Sequence, residues 1–366
     1  MKIFSVVGAR PNFVKVAPIH RAFQRYADWI QHFIVHTGQH YSAEMSALFF
    51  ADVGMPTPTV HLNVGSGSHA EQTARAMMEL ENTFQQHKPD LVIVVGDVNS
   101  TLAGAIAAAK CGIPLAHVEA GLRSFDRAMP EEINRIATDA VADYAFVTEP
   151  SALTNLHREG WDDSRIFLVG NTLIDSLYFM LPRARESKII EKFKLKEQYV
   201  VVTLHRPNNV GNCTQLEGLL RVFAELSETL DVVFPIHPRT RNNIADFGLT
   251  HIAEPAPRLF VIDPLGYVDF LALTMRADFV LTDSGGIQEE TTVLGIPCLT
   301  LRTTTERPIT CEIGTNQLVP PEPARVRSAI AQVLNVPRKE SHIPPLWDGK
   351  AAERIAQIIA EKLFCL

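Results

Sequence analysis

Asp278-Phe279-Val280-Leu281-Thr282-Asp283-Ser284-Gly285-Gly286-Ile287-Gln288-Glu289-Glu290 decides how the rest of this chain reads. The apolar run up to Thr282 has the composition of a buried strand, and Ile287 to Leu294 has the pattern of a helix ending at Gly295. A small residue and two glycines at a strand-to-helix turn leave backbone N–H groups uncovered at the positive end of the helix. Ser284, Gly285 and Gly286 are therefore a candidate cradle for phosphate or pyrophosphate. Glu290 follows in the first turns of that helix, where a carboxylate can reach a ribose diol, as acidic residues do in nucleotide folds. Glycines also serve turns that bind nothing, so the surroundings carry the decision.

Strand-like and helix-like runs alternate along the whole chain. The first half offers strands at Ile3–Val7, Phe33–Thr37, Leu91–Val95, Leu115–Glu119, Tyr144–Thr148 and Ile166–Val169, with amphipathic stretches such as Ala70–Phe84 and Thr101–Lys110 between them. The second half offers strands at Val200–Leu204, Val232–Ile236, Leu259–Ile262, Phe279–Thr282 and Cys298–Leu301, with helices at Leu216–Thr229, Phe270–Arg276 and Ile287–Leu294. Short runs rich in Val and Ile suit parallel strands covered on both faces. Two such arrays predict an α/β protein with two Rossmann-like domains facing a cleft. The expected domains are residues 1–170, with the C-terminal helix 351–366 packing back on them, and residues 171–350, joined near Gly170 by the helix and connector Asn171–Phe193.

A chain of 366 residues, 46% hydrophobic and 20% charged, suits two soluble domains better than one core. The net charge of -7 argues against nucleic acid or an anionic membrane as the main partner, though not against an anionic small ligand in a local basic pocket. Met1–Gly8 reads as a first strand and glycine turn, too short for a signal peptide or a membrane span. Cys111, Cys213, Cys298, Cys311 and Cys365 are scattered without a C-x-x-C pair, which favours reduced thiols and a cytoplasmic setting.

Open α/β sheets bind ligands at the carboxyl ends of their strands, so the residues just after each strand are the place to look. Arg10 and Lys15 follow the first strand, where a ligand's phosphates would lie. Asp97 follows Leu91–Val95, and an N-cap role explains it equally well. Glu119 ends a strand so apolar that burying a carboxylate there without purpose is costly. Met129-Pro130-Glu131-Glu132 opens a helix, and dipole-favourable capping accounts for one of its two acids. His205 and His237 stand at strand ends beside Arg206 and Arg239, and Arg307 follows the last core strand. No metal-ligand spacing stands out, and neither a metal nor a cofactor is expected. A pyrophosphate cradle with several cations and carboxylates describes acid/base chemistry on a nucleotide sugar.

The motifs GARPNFVKVAPI, TGQHY, GDVNST, HVEAGLRS, MPEEINR, His205-Arg206, DSGGIQEE and TERP followed by NQLV occur in that order. Together they resemble the non-hydrolysing UDP-N-acetylglucosamine 2-epimerase family, over roughly Lys2 to Val319. The resemblance implies a GT-B type fold and a homodimer. It implies interconversion of UDP-GlcNAc and UDP-ManNAc by elimination and re-addition of UDP through 2-acetamidoglucal. It points to Asp97, Glu119, Glu131 and His205 as catalytic, and to Arg10, Lys15, Ser284, Gly285, Gly286, Glu290 and Arg307 as UDP contacts, with Phe270 near the uracil. His237 joins the binding residues through its strand-end position. A related UDP-sugar, a diacetamido-glucuronate or a 6-deoxy sugar, is the alternative substrate. A hydrolysing epimerase, a glycosyltransferase and a catalytically dead UDP-sugar sensor are the remaining rivals.

The chain departs from the family where many members read H-R-R-E-N, having Pro207 and Asn208 in place of the arginine and glutamate. It also has Gln39-His40-Tyr41-Ser42 where well-known bacterial members carry Q-H-R-Q. These positions resemble the family's allosteric site for a second UDP-GlcNAc. The prediction is that activation is lost or weakened, so that UDP-ManNAc alone gives a hyperbolic rate curve. An absolute requirement for added UDP-GlcNAc would sink it.

Overall fold

Residues 1–38, 53–253, 256, 258–336 and 340–363 are described by the structure, a computed structural model. Met1–Phe179 with Pro345–Leu366 form one compact unit and Met180–Pro344 the other.

In the first unit the apolar runs become the parallel strands β1 (Lys2–Val7), β2 (Gln31–His36), β3 (Val60–His61), β4 (Leu91–Val95), β5 (Leu115–Val118), β6 (Tyr144–Val147) and β7 (Ile166–Leu168). Their order is β3-β2-β1-β4-β5-β6-β7. The chain thus builds outward from β1 to one edge and then returns to build from β4 to the other. On one face Val6, Val94 and Leu115 pack with Leu80 and Phe84 of the His69–His87 helix, each fully buried apolar side chain contributing about 1.5–3 kcal/mol. The β3 strand was not legible as an apolar run, being two residues long and half polar. The β5 strand stops one residue earlier than expected because Glu119 turns to φ 72.

The second unit repeats the plan with β8 (Tyr199–Thr203), β9 (Asp231–Pro235), β10 (Leu259–Ile262), β11 (Phe279–Thr282), β12 (Cys298–Thr300) and β13 (Asn316–Leu318), in the order β10-β9-β8-β11-β12-β13. All neighbours are parallel. Phe279, Leu281, Phe223 and Phe234 lie in its core. The cradle helix spans Gly285–Leu294, so both glycines belong to its first turn.

The C-terminal helix Ala351–Gln357 packs on the Arg10–Phe23 helix of the first unit, as expected. Asp175 caps it, accepting the amides of Ala351 at 3.1 Å and Ala352 at 2.7 Å. Burial pushes this carboxyl up to about 6. The strap before the helix crosses so close to Gly170, at φ +91, that a Cβ there would lie 2.0 Å from the Leu346 carbonyl oxygen. Trp347 fills the space beneath the strap and donates its indole N–H to the Thr148 carbonyl at 3.0 Å. Trp347→Ala is predicted to cost about 3–5 kcal/mol, read by urea denaturation. An unchanged midpoint would show that the strap does not depend on it.

Candidate active site

Each sheet reverses its direction of growth at one place, between β1 and β4 in the first unit and between β8 and β11 in the second. Ligands in such sheets sit outside the carboxyl ends of the strands at that switch point. The residues selected from sequence follow these strands and their immediate neighbours.

In the first unit the turn after β1 is tied by Asn12. Its side chain accepts the amides of Gly8 and Ala9, each at 3.2 Å, and donates to the Val95 carbonyl of β4 at 2.8 Å. Arg10 begins the following helix, and its side chain lies outside the described part of the chain. Lys15, one turn further on, meets the buried Glu119 at 2.6 Å. Asp97, in the turn after β4, pairs with the Arg135 guanidinium, and its carbonyl accepts the Asn134 side chain at 2.9 Å.

Asn134 and Arg135 belong to the Pro130–Val141 helix, which organises this end of the unit. Pro130 starts it, with its fixed φ and no N–H to satisfy. Glu131 is half-exposed, and among the described residues it has no hydrogen-bond or ion-pair partner. Glu132 is buried and structural. It accepts the amides of Ser124 at 3.0 Å and Phe125 at 2.9 Å, and both Nε and Nη2 of Arg135, at 2.9 and 2.5 Å. Burial works against its charge, but these amides and the guanidinium hold it below the usual carboxylate range. Asp139, two turns along, receives His117 Nδ1 at 2.6 Å, Arg123 Nη2 at 2.7 Å and the Gly121 amide at 3.0 Å. Its charge likewise survives burial because His117 and Arg123 flank it. His117 donates from Nε2 to the Gly96 carbonyl at 2.9 Å, so it braces the turn that carries Asp97.

In the second unit Asp283 is the organiser. Fully buried at the end of β11, it accepts the amides of His205 at 3.0 Å and Arg206 at 2.9 Å, the Asn209 side chain at 3.1 Å and His205 Nδ1 at 2.7 Å. Burial opposes its charge, yet His205 and the amides bring the carboxyl down to about 2. With Nδ1 committed, Nε2 is the ring nitrogen of His205 left for a ligand. The His237 ring lies 5.7 Å from it, and its Nδ1 accepts the Arg239 amide at 3.1 Å. Burial, and then the neighbouring His205, lower the pKa of His237.

The Ser284-Gly285-Gly286 turn opens its helix as expected, with the first amides pointing out of the helix end. A Cβ at position 285 would stand 2.6 Å from Glu306 Oε1, so any larger residue would have to displace that carboxylate. Glu306 is held by Arg302 at 2.8 Å, and Arg307 is buried against Glu289 at 2.5 Å with Glu306 at 3.6 Å. Arg307 is therefore a charge-balanced member of the ionic cluster around Glu289 and Glu306. Glu290 is buried and accepts the Tyr267 hydroxyl at 2.6 Å. Burial, with the charge of Glu289 beside it, raises Glu290 to about 7. Phe270 is half-buried on the same Tyr267–Thr274 helix.

Asp283, Arg135, Asp139 and Tyr267 were not selected from sequence. Asp283 carries the same signal as Glu119, a carboxylate at the end of an apolar strand, and Arg135 stands four residues after Glu131, on the same helix face. Among the described residues no group of three or more His, Cys, Asp or Glu is placed to hold a metal ion, and no helix is long and apolar enough to cross a membrane. Gln39-His40-Tyr41-Ser42 lies outside the described residues.

A family profile described as UDP-N-acetylglucosamine 2-epimerase matches residues 22–360. The chain is 42% identical to the UDP-N-acetylglucosamine 2-epimerase of Methanocaldococcus jannaschii, across 98% of this chain and 99% of that protein. It is 39% identical to the UDP-2,3-diacetamido-2,3-dideoxy-D-glucuronate 2-epimerase of Pseudomonas aeruginosa, across 99% of this chain and all of that protein. The crystal structure of the Methanocaldococcus jannaschii enzyme in complex with UDP-GlcNAc and UDP superposes with a TM-score of 0.91, over 98% of this chain and 99% of that one. The GT-B type of fold inferred from the motifs stands.

The raised carboxyl of Glu290 has a stability consequence. A carboxyl whose folded pKa is raised leaves stability intact below its unfolded value and loses it as pH rises toward the folded value. From 4.5 to about 7, at about 1.4 kcal/mol for each pH unit, the loss is about 3 kcal/mol. Glu290→Gln, which keeps an acceptor for Tyr267, is predicted to match wild type at pH 4.5 and to exceed it in urea denaturation at pH 8. Equal stability at both pH values would contradict the assignment.

Proposed function

Because the chain belongs to the UDP-N-acetylglucosamine 2-epimerase family, we propose that it interconverts UDP-N-acetylglucosamine and UDP-N-acetylmannosamine. A base removes the proton from carbon 2 as UDP leaves carbon 1, giving 2-acetamidoglucal. UDP then adds back and the proton is delivered to the other face. The observation that carries this reading is that Asp97 and Glu119, at the ends of neighbouring strands β4 and β5, are each fixed by a separate cation, Arg135 and Lys15.

In this proposal Glu119 and Glu131 are the acid/base pair on carbon 2, and Asp97 orients the sugar. The proton on carbon 2 is barely acidic, so its removal is coupled to departure of UDP, and each group that stabilises the leaving diphosphate lowers the barrier. Gly285 and Gly286 hold the diphosphate through helix-end amides, Ser284, whose own amide donates to Thr282 Oγ1 at 3.0 Å, adds its hydroxyl, and Arg307 joins the UDP contacts. His205, oriented by Asp283, faces the leaving phosphate with Nε2, Arg10 and Lys15 supply cations, and His237 joins the UDP contacts. Glu290 takes the ribose and Phe270 the uracil. Residues 1–170 with 351–366 act as the sugar-reacting domain and 171–350 as the UDP-binding domain. The working form is a cytoplasmic homodimer, a reading supported by the family resemblance and by the scattered cysteines, which form no C-x-x-C pair.

The reaction is tested by NMR in deuterated water, where UDP-GlcNAc acquires deuterium at carbon 2 as UDP-ManNAc appears. Without exchange the reaction is wrong. Glu119→Gln is predicted to lower kcat by about 10²–10⁴-fold, and a variant as fast as wild type would remove Glu119 from the acid/base pair. A second reading is favoured by Pro207 and Asn208 and by the 39% identity to the diacetamido-glucuronate epimerase. Exchange with that sugar and none with UDP-GlcNAc would install it instead.

A further inference from the structure

Between Glu119 and Glu131 the chain makes one aromatic residue conspicuous. Phe125 has φ 59, a left-handed conformation that disfavours bulky side chains and that glycine adopts without strain. The residue is 72% exposed, while Leu122, Arg123 and Ser124 just before it are buried. The backbone here is tightly held. The Phe125 amide donates to Glu132 Oε1 at 2.9 Å, and the Ser124 amide and hydroxyl donate to Oε2 at 3.0 and 3.1 Å. Glu132 is neutralised by Arg135, which also grips Asp97. A buried ion pair thus maintains a strained backbone, and the side chain placed there lies mostly in water. Packing within the fold does not explain such an exposed ring. Strain of this kind, sustained by its surroundings, marks positions that meet a ligand.

The Phe125 amide is one hydrogen bond from Glu132, the neighbour of Glu131, so the loop that carries the ring is anchored to the helix that carries Glu131. Pyranose rings present a face of C–H groups that packs against an aromatic ring. Resting on the epimerase reading above, we propose that Phe125 is a substrate-contacting residue that covers the sugar ring and retains the 2-acetamidoglucal between elimination and re-addition. In the elimination the carbon 2 proton passes to a carboxylate, the bond from carbon 1 to the diphosphate oxygen breaks with its electrons leaving on UDP, and a double bond forms between carbons 1 and 2. The uncharged glucal then has no phosphate to hold it, and a covering ring would hinder its escape.

The test compares wild type with Phe125→Gly, which fits the backbone, Phe125→Asn, which also tolerates it, and Phe125→Tyr, which keeps a ring. For Phe125→Gly and Phe125→Asn the expected results are an undiminished Tm, a kcat/KM at least about 10-fold lower, and free UDP with 2-acetamidoglucal accumulating in the NMR assay. Phe125→Tyr is expected to retain turnover without leakage. Wild-type kcat/KM and no leakage in the Gly and Asn variants would overturn the proposal. So would loss of folding, or a smaller assembly on size exclusion, in either variant, since the ring would then serve packing or contact with a second copy. If wild type itself exchanges no deuterium at carbon 2, the epimerase reading fails and the proposal falls with it. Exchange in wild type with unaltered Gly and Asn variants removes the role of Phe125 alone.

Discussion

Glu132, Arg135 and Asp139 lie three and four residues apart on the Pro130–Val141 helix, so their side chains share one face. All three are buried, and a face of that kind must be ionically complete to be stable. Breaking such a set by removing one partner costs about 3–5 kcal/mol, because the other charge is left buried alone. The partners come from strand β5 and from the loops after β4 and β5 rather than from other helices. Glu132 takes the Ser124 and Phe125 amides, Arg135 takes Asp97, and Asp139 takes Gly121, Arg123 and His117. The turn after β4 and the loop after β5 are therefore positioned by the helix that also presents Glu131. The placement of Asp97 relative to Glu131 depends on this set of ion pairs, while Lys15 of the Arg10–Phe23 helix fixes Glu119.

The second unit solves a similar problem with a strand-end acid. Asp283 completes its hydrogen bonds with the chain after β8, across the switch point of the sheet, and in doing so fixes the His205 ring. Beneath the cradle, Arg302 and Arg307 balance Glu289 and Glu306, which leaves Glu290 as the carboxyl without a matching cation in that set. Its rise on burial to about 7 is consistent with that balance. While Glu290 keeps its proton the cluster beneath the glycines is neutral. An arriving diphosphate then meets the helix-end amides without opposing net charge.

Much of this was legible in the sequence because the signals were large. Parallel strands covered on both faces appear as unbroken apolar runs, and Glu119 stood out because a carboxylate ending such a run is expensive. The short edges β3 and β13 had no such run to show. The carboxyl ends of strands pointed to Lys15, Asp97 and His205 without any knowledge of contacts. Asp283 escaped selection even though it ends a run as apolar as the one before Glu119, since the glycines after it offered a simpler use for the turn. Glu131 and Glu132 are alike in sequence. Only the packed helix separates the buried clamp from the half-exposed acid, since a change of one residue rotates a side chain by about 100°.

Two left-handed residues, Glu119 and Phe125, bound one short segment. Neither is a residue type that favours this conformation, which costs roughly 1–2 kcal/mol at each position. The clamps at Gly121 and at Ser124–Phe125 belong to the buried ionic face, where losing a partner costs about 3–5 kcal/mol. The ionic clamps outweigh the backbone strain, so the segment stays strained in the folded state. Relaxing either residue would require the segment to leave Asp139 or Glu132, and Arg135 would then lose part of what holds Asp97. Strain in the loop and the placement of Asp97 are consequently linked through the Pro130–Val141 helix.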